Sequence, residues 1–153
     1  MSIFLVRHAS AGDRQRWHLA DHERPLDERG RQQALRITAF FADAEVRAVW
    51  SSPATRCLET IRGVAECHSL ELDVRHELGE GTATRQIWEL LLEQAALGDL
   101  VVCSHGDVIG WTVDRLLRTG LQVSGARGCA KASIWELKVD GTKFSEGIYT
   151  AQP

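Results

Sequence analysis

A chain of 153 residues has the length of one domain with a single buried core, and its 44% hydrophobic and 25% charged residues are the proportions of an ordinary soluble globular protein. A net charge of -3 excludes sequence-independent nucleic-acid binding, which needs a broad basic surface, but leaves room for a small cationic pocket. No apolar run approaches the roughly 20 residues of a membrane span, and the N-terminal one stops at Arg7, short of a secretory signal.

Taken in chain order, residues 2–8 (SIFLVRH) predict a buried strand that ends abruptly in Arg7 and His8. Residues 27–44 (DERGRQQALRITAFFADA) read as a helix, with Ala34, Ile37, Phe41 and Ala44 recurring at three- and four-residue spacing on one face. A second strand follows at 47–52 (RAVWSS), then a helix at 53–69, with Pro53 suited to its start and Ser51 and Ser52 on the connecting turn. Residues 70–78 hold a further short strand, and 82–97 a third helix. The run 99–105 (DLVVCSH) is the most strand-like of the second half. Gly106 opens a fourth helix that Gly120 closes as a C-terminal cap. The tail, 130–150, predicts two strands about an Asp140–Gly141 turn.

Strands alternating with helices imply an α/β three-layer sandwich, with a mostly parallel central sheet flanked by helices, as one domain over 1–153. The cysteines, Cys57, Cys67, Cys103 and Cys129, are widely spaced and form no zinc-type cluster. They read as buried free thiols of a cytoplasmic protein. Trp50, Trp88, Trp111 and Trp135 lie in predicted elements and are expected in the core. His18 and His22 fall in a polar loop, 12–23, which follows His8 directly.

In sheets of this kind, sites form beyond the carboxyl ends of the strands. Three strands here end in polar groups: Arg7-His8, Ser51-Ser52 and Ser104-His105. Arg56 lies about one turn into the helix after the second. Arginine offers a planar, permanently charged fork of donors matched to phosphate oxygens. A neutral histidine is a nucleophile able to form a covalent intermediate. Together they suggest phosphoryl transfer: one imidazole attacks phosphorus while two guanidiniums and a second histidine hold the equatorial oxygens. The rival use of two histidines, a metal site, lacks the acidic ligands and regular spacing it requires, so neither metal nor cofactor is expected. Gly-x-Ser-x-Gly and Walker motifs are absent, and "GEGTAT" matches a dinucleotide fingerprint only in its first residues.

The segments "LVRHASAG", "SSPATRCLET" and "VVCSHGD" resemble, in order, the three signature segments of the histidine phosphatase superfamily. The resemblance implies a phosphoglycerate mutase-like fold, a phosphorylated nucleophile at His8, and Arg7, Arg56 and His105 around the phosphate. "DHERPLDERGRQQA" is similar to the Arg-Pro-Leu segment of SixA-type phosphohistidine phosphatases, as is the short chain, and it offers Arg24 as a further substrate-binding residue. Two departures stand out. The family commonly has Gly where this chain has Ala9, and mutase-type members carry Ser or Thr and then Asn where this chain has Ala11 and Arg14. The family's proton-donor segment is matched by "HELGEGTA", which supplies Glu77 and Glu80, with Glu80 the nearer likeness although the Gly-x-Trp-Glu-Gly continuation is missing. The resemblance therefore implies a phosphatase acting on protein phosphohistidine, for instance a histidine-phosphotransfer domain. A small phosphate ester or nucleotide is the alternative substrate, and a non-catalytic phosphate-binding module the alternative class. Oligomeric state is not legible.

Overall fold

The computed structural model describes residues 1–82, 85–95 and 97–153, without the side chains at 85, 86, 88 and 95. Seven strands form one sheet: β1 (Ser2–Arg7), β2 (Val46–Ser51), β3 (Leu72–Val74), β4 (Asp99–Ser104), β5 (Gln122–Val123), β6 (Ile134–Asp140) and β7 (Lys143–Thr150). Four helices accompany it: α1 (Glu28–Phe41), α2 (Thr55–Cys67), α3 (Arg85–Ala95) and α4 (Gly106–Arg118). The spatial order is β3-β2-β4-β1-β6-β7-β5. All neighbours pair in parallel except β6, which runs against both β1 and β7.

The alternation of side chains along β1 divides the core. Phe4 and Val6 face a layer built by Ile37 and Phe41 of α1 and Ile61 and Val64 of α2, with Phe4 and Phe41 edge to face at 5.1 Å. Ile3 and Leu5 face the other layer, with Leu91 of α3 and Ile109, Val113 and Leu116 of α4. Because the sheet is covered on both faces, β1 and β4 need apolar residues at every position, which is why they read as continuous runs rather than alternating ones. This is the three-layer α/β fold implied by the strand–helix alternation.

Local chemistry explains the element ends. Asp27 caps α1 by accepting from the Gly30 amide at 2.7 Å. Gly30 is required, because a Cβ there would lie 1.9 Å from the Ser10 carbonyl oxygen; its absence lets the first turn of α1 press onto the loop after β1. Gly120, at φ 103, ends α4 with bonds from Leu121 N to Leu116 O and from Gly120 N to Leu117 O.

Four expectations need correction. Ser51 is the last residue of β2, paired with Cys103, and only Ser52 stands beyond the strand. Pro53 precedes the Ala54 cap rather than opening α2 itself. Cys67 is exposed and Cys129 half-buried, so only Cys57 and Cys103 are buried thiols. Trp50 and Trp135 are core residues, whereas Trp111 is half-buried beneath Arg115. The core placement of Trp88, and positions 83, 84 and 96 of the third helix, lie outside the described residues. Among the described residues no helix is long and apolar enough to cross a membrane.

Candidate active site

The parallel strands deliver their C-terminal ends to one edge of the sheet. Arg7 ends β1 and His8 follows it; Ser104 ends β4 and His105 caps α4; Arg56 is the second residue of α2. His8, Arg56 and His105 are all buried, at 6%, 1% and 2% exposure. The two imidazoles stand edge to face with centroids 5.4 Å apart.

His8 is oriented by its neighbour in the chain. Its Nδ1 lies 2.8 Å from the Ala9 carbonyl, which accepts the ring proton and leaves Nε2 with its lone pair. Ala9 is fully buried, and its amide donates to Thr60 Oγ1, which in turn donates to the Arg56 carbonyl. The loop after β1 and α2 are thereby tied together. Burial pushes the His8 imidazole down from 6.5 to about 3; the bond to Ala9 opposes this, and the charges of Arg56, His105 and Arg7 add to it. His8 is a neutral base at physiological pH.

Each arginine is anchored at its tip. Arg56 Nη1 donates to the Asp21 carbonyl at 2.8 Å, and Nη2 meets Asp21 Oδ2 and Glu80 Oε2, each at 3.1 Å. Arg7 Nη1 donates to the Cys129 carbonyl. Gly106 makes room for Arg7, since a Cβ there would lie 2.9 Å from the guanidinium carbon. In both residues Nε is buried and has no hydrogen-bond partner among the described residues. A buried, charged donor without an acceptor is costly; Arg75, just after β3, has another, while at Arg7 and Arg56, which flank His8 and His105, an anion would relieve it. His105 completes the group. Its Nδ1 lies 3.4 Å from Arg56 Nη2, so the ring proton belongs on Nε2, which faces Ser52 Oγ at 2.9 Å and Cys57 Sγ at 3.6 Å.

Of the two carboxylates proposed from sequence, Glu80 reaches the site and Glu77 does not. Glu80 contacts Arg56 and is gripped through both oxygens by Arg14 Nη2, at 2.8 and 2.7 Å. Glu77 is exposed on a single 3-10 turn, with no ion pair among the described residues. Arg24 is buried behind the loop, donating to the Ala11 carbonyl at 2.7 Å and pairing with Asp21 at 3.1 Å. His18 and His22 are exposed. Sequence reasoning missed Asp21, which receives Arg14, Arg24 and Arg56 and whose carboxyl is held below its ordinary range, the cost of burial outweighed by those three cations. Nothing in the pattern of "ADHERP" distinguishes it from any acidic loop residue.

Among the described residues no group of three or more His, Cys, Asp or Glu could hold a metal ion. A cavity of about 750 Å³ along β3 is lined by none of Arg7, His8, Arg56 and His105. A smaller one, about 270 Å³, adjoins the loop after His8 and is lined by Ala11, Arg16, Trp17, Arg24, Pro25 and their neighbours.

A family model for the histidine phosphatase superfamily (branch 1) matches residues 3–85. The chain is 28% identical to an 8-oxo-(d)GTP phosphatase of Mycolicibacterium smegmatis, over 99% of this chain and 48% of that protein, so it spans about half of that relative. Its fold superposes on the protein histidine phosphatase SixA complexed with tungstate with a TM-score of 0.77, at 21% identity over 98% of this chain and 94% of that one. It also matches a mycobacterial glucosyl-3-phosphoglycerate phosphatase complexed with VO3, with a TM-score of 0.69, at 16% identity over 97% and 96%.

Proposed function

The chain belongs to the histidine phosphatase superfamily, and from that premise we propose that it hydrolyses phosphorylated substrates through a phosphorylated His8. The observation that carries this is a neutral, buried imidazole whose Nδ1 is engaged by the Ala9 carbonyl, beside two guanidiniums whose Nε donors have no partner among the described residues. Nε2 of His8 attacks phosphorus, the bond to the leaving group breaks, and the three equatorial oxygens take the Arg7 and Arg56 donors. Phosphorylation leaves the ring cationic, and the Ala9 carbonyl holds its remaining N–H. Water then attacks the phosphohistidine, releasing phosphate and restoring neutral His8.

Two substrate readings follow. The Arg24-Pro25-Leu26 segment and the SixA-like fold support protein phosphohistidine, whose imidazole leaves already protonated and needs no dedicated acid. Glu80, gripped by Arg14 and Arg56, is then an acceptor that fixes the clamp. A small phosphate ester or nucleotide is supported by the place of Glu80 beside Arg56, where a carboxyl could serve the leaving oxygen, and by the nucleotide-hydrolysing relative. The free thiols fit a reducing, cytoplasmic setting.

The test is phosphate release in excess EDTA from a phosphorylated histidine-phosphotransfer domain and from p-nitrophenyl phosphate, with His8→Ala as control. Turnover should fall by about 10³-fold or more in the variant, in the range that loss of a nucleophile costs. A variant that keeps its rate would remove His8 from the mechanism. Rapid release from the phosphoprotein favours the first substrate; release from the ester alone favours the second.

A further inference from the structure

Arg56 has to keep one orientation if it is to meet a phosphoryl group, and the supports of its Nη2 are unequal. Two of them, the carboxylates of Asp21 and Glu80, come from loops and are 36% and 45% exposed, so solvent and salt weaken them. The third is the His105 ring, 2% exposed, whose Nδ1 lies 3.4 Å from the same nitrogen. Of these three, the imidazole alone is buried. A ring nitrogen supports a guanidinium only while it carries a lone pair rather than a proton.

The position of the ring proton is decided on the far side of the imidazole. Strands β2 and β4 are parallel neighbours with Ser51 opposite Cys103, so the residues just beyond them run side by side. There His105 Nε2 faces Ser52 Oγ at 2.9 Å, with Cys57 Sγ further off at 3.6 Å. Ser52 is fully buried and is itself fixed. Its amide donates to the Cys103 carbonyl at 3.0 Å, its carbonyl accepts from Ser51 Oγ at 2.8 Å, and its Oγ accepts the Ala54 amide at 3.3 Å. A second lone pair of that oxygen remains for the ring, and Nε2–H takes it. The opposite arrangement, a Ser52 hydroxyl proton on Nε2, would set an Nδ1–H head to head with the N–H of a buried cation.

We propose that Ser52 is a positioning residue of the phosphoryl pocket. It keeps the His105 proton on Nε2, so that Nδ1 accepts from Arg56 and holds the guanidinium with its Nε, which has no partner among the described residues, available to the phosphoryl group. The relay runs from Ser52 through His105 to Arg56, and all three are buried. The proposal rests on Arg56 as a clamp of the phosphoryl group. Without the Ser52 oxygen, Nε2–H loses its acceptor, the proton passes to Nδ1, and the guanidinium is pushed from its place.

Long-range proton–nitrogen correlation spectra report which ring nitrogen carries the proton, with the His105 signals identified by their loss in His105→Gln. Native protein at neutral pH should show His105 protonated at Nε2 alone. Ser52→Ala should move the proton to Nδ1 and weaken calorimetric binding of inorganic phosphate by about tenfold, the scale of one lost buried hydrogen bond, with a similar fall in kcat/KM for p-nitrophenyl phosphate. Ser52→Thr, which keeps the Oγ, should restore both the Nε2 proton and the phosphate affinity, and Cys57→Ala should keep the proton on Nε2. A native His105 protonated at Nδ1 overturns the proposal whether or not any variant folds. So does a Ser52→Ala protein that loses stability in urea while its tautomer and phosphate affinity stay native, the result that a packing role alone predicts. A shifted tautomer with unchanged phosphate affinity overturns it as well, since Arg56 then needs no such support. A tautomer that shifts in Cys57→Ala but not in Ser52→Ala gives the role to the thiol and removes it from Ser52. Should His8→Ala keep its turnover, the covalent mechanism falls, while the tautomer and the phosphate affinity still decide the role of Ser52.

Discussion

On one side of His8, residues 128–133 are fastened to Arg7 and His8 by main-chain hydrogen bonds. On the other, residues 13–23 meet residues 79–82 through side chains in solvent, with Arg14 spanning Asp21 and Glu80. The first wall is built from backbone groups that must be paired wherever they are buried, so its geometry is settled on folding. The second joins its two segments through the exposed ion pairs of Arg14, each worth about 0–1 kcal/mol and weakened by salt, although Asp21 itself is also held by buried Arg24 and Arg56. The contrast separates a rigid wall, held to Arg7 and His8 by backbone bonds, from one that can adapt.

Gly106→Ala strikes the rigid wall hardest. The new Cβ would sit 2.9 Å from the Arg7 guanidinium carbon and push that group aside, and a misplacement of about 1 Å at a reacting centre lowers kcat/KM by about 100-fold. Steady-state kinetics that stay within a factor of three would show that this wall yields after all.

Acid should act on His8, between the walls, and the sign follows from its lowered proton affinity. Below pH 6.5 the unfolded chain protonates this residue while the folded protein keeps it neutral down to about 3, so stability is lost as pH falls through that window and is unaffected above it. At pH 5 the loss is about 2 kcal/mol from this group alone. Urea unfolding of His8→Gln at pH 5 and 7 should show a pH dependence smaller by that amount; an identical dependence would mean that His8 takes up its proton in the folded state.

Smallest of the three is Arg14→Ala, in the adaptable wall. Its removal should change unfolding free energy by about 1 kcal/mol or less, and by still less in 0.5 M salt. A loss above 2 kcal/mol would make the two walls equally rigid and end the comparison.

Much of the site was legible because strand ends carry it. Arg7, His8, Ser104 and His105 follow apolar runs whose continuity marks buried parallel strands, and Arg56 follows by one helical turn. Asp21 was not legible, because its role comes from three arginines brought together by folding rather than from spacing. The return of residues 132–133 to Arg7 and His8 was hidden for a related reason, since only the pairing of β6 against β1 brings the start of that predicted strand to this edge. Two-residue β5 has no periodicity to read, and Pro53 is equally compatible with the residue before a cap and the one after it.

The reversed direction of β6 carries a broader consequence. In a wholly parallel sheet, the catalytic edge is furnished only by segments leaving strands. Here Ile134 pairs with Val6, so a segment entering a strand reaches the same edge. That approach is free of the duty to start a helix, and its far end, from Gly125 to Gly128, is exposed. Substrate preference in this architecture can thus diversify through one short inbound segment, while the outbound loops that bear the chemistry remain as they are.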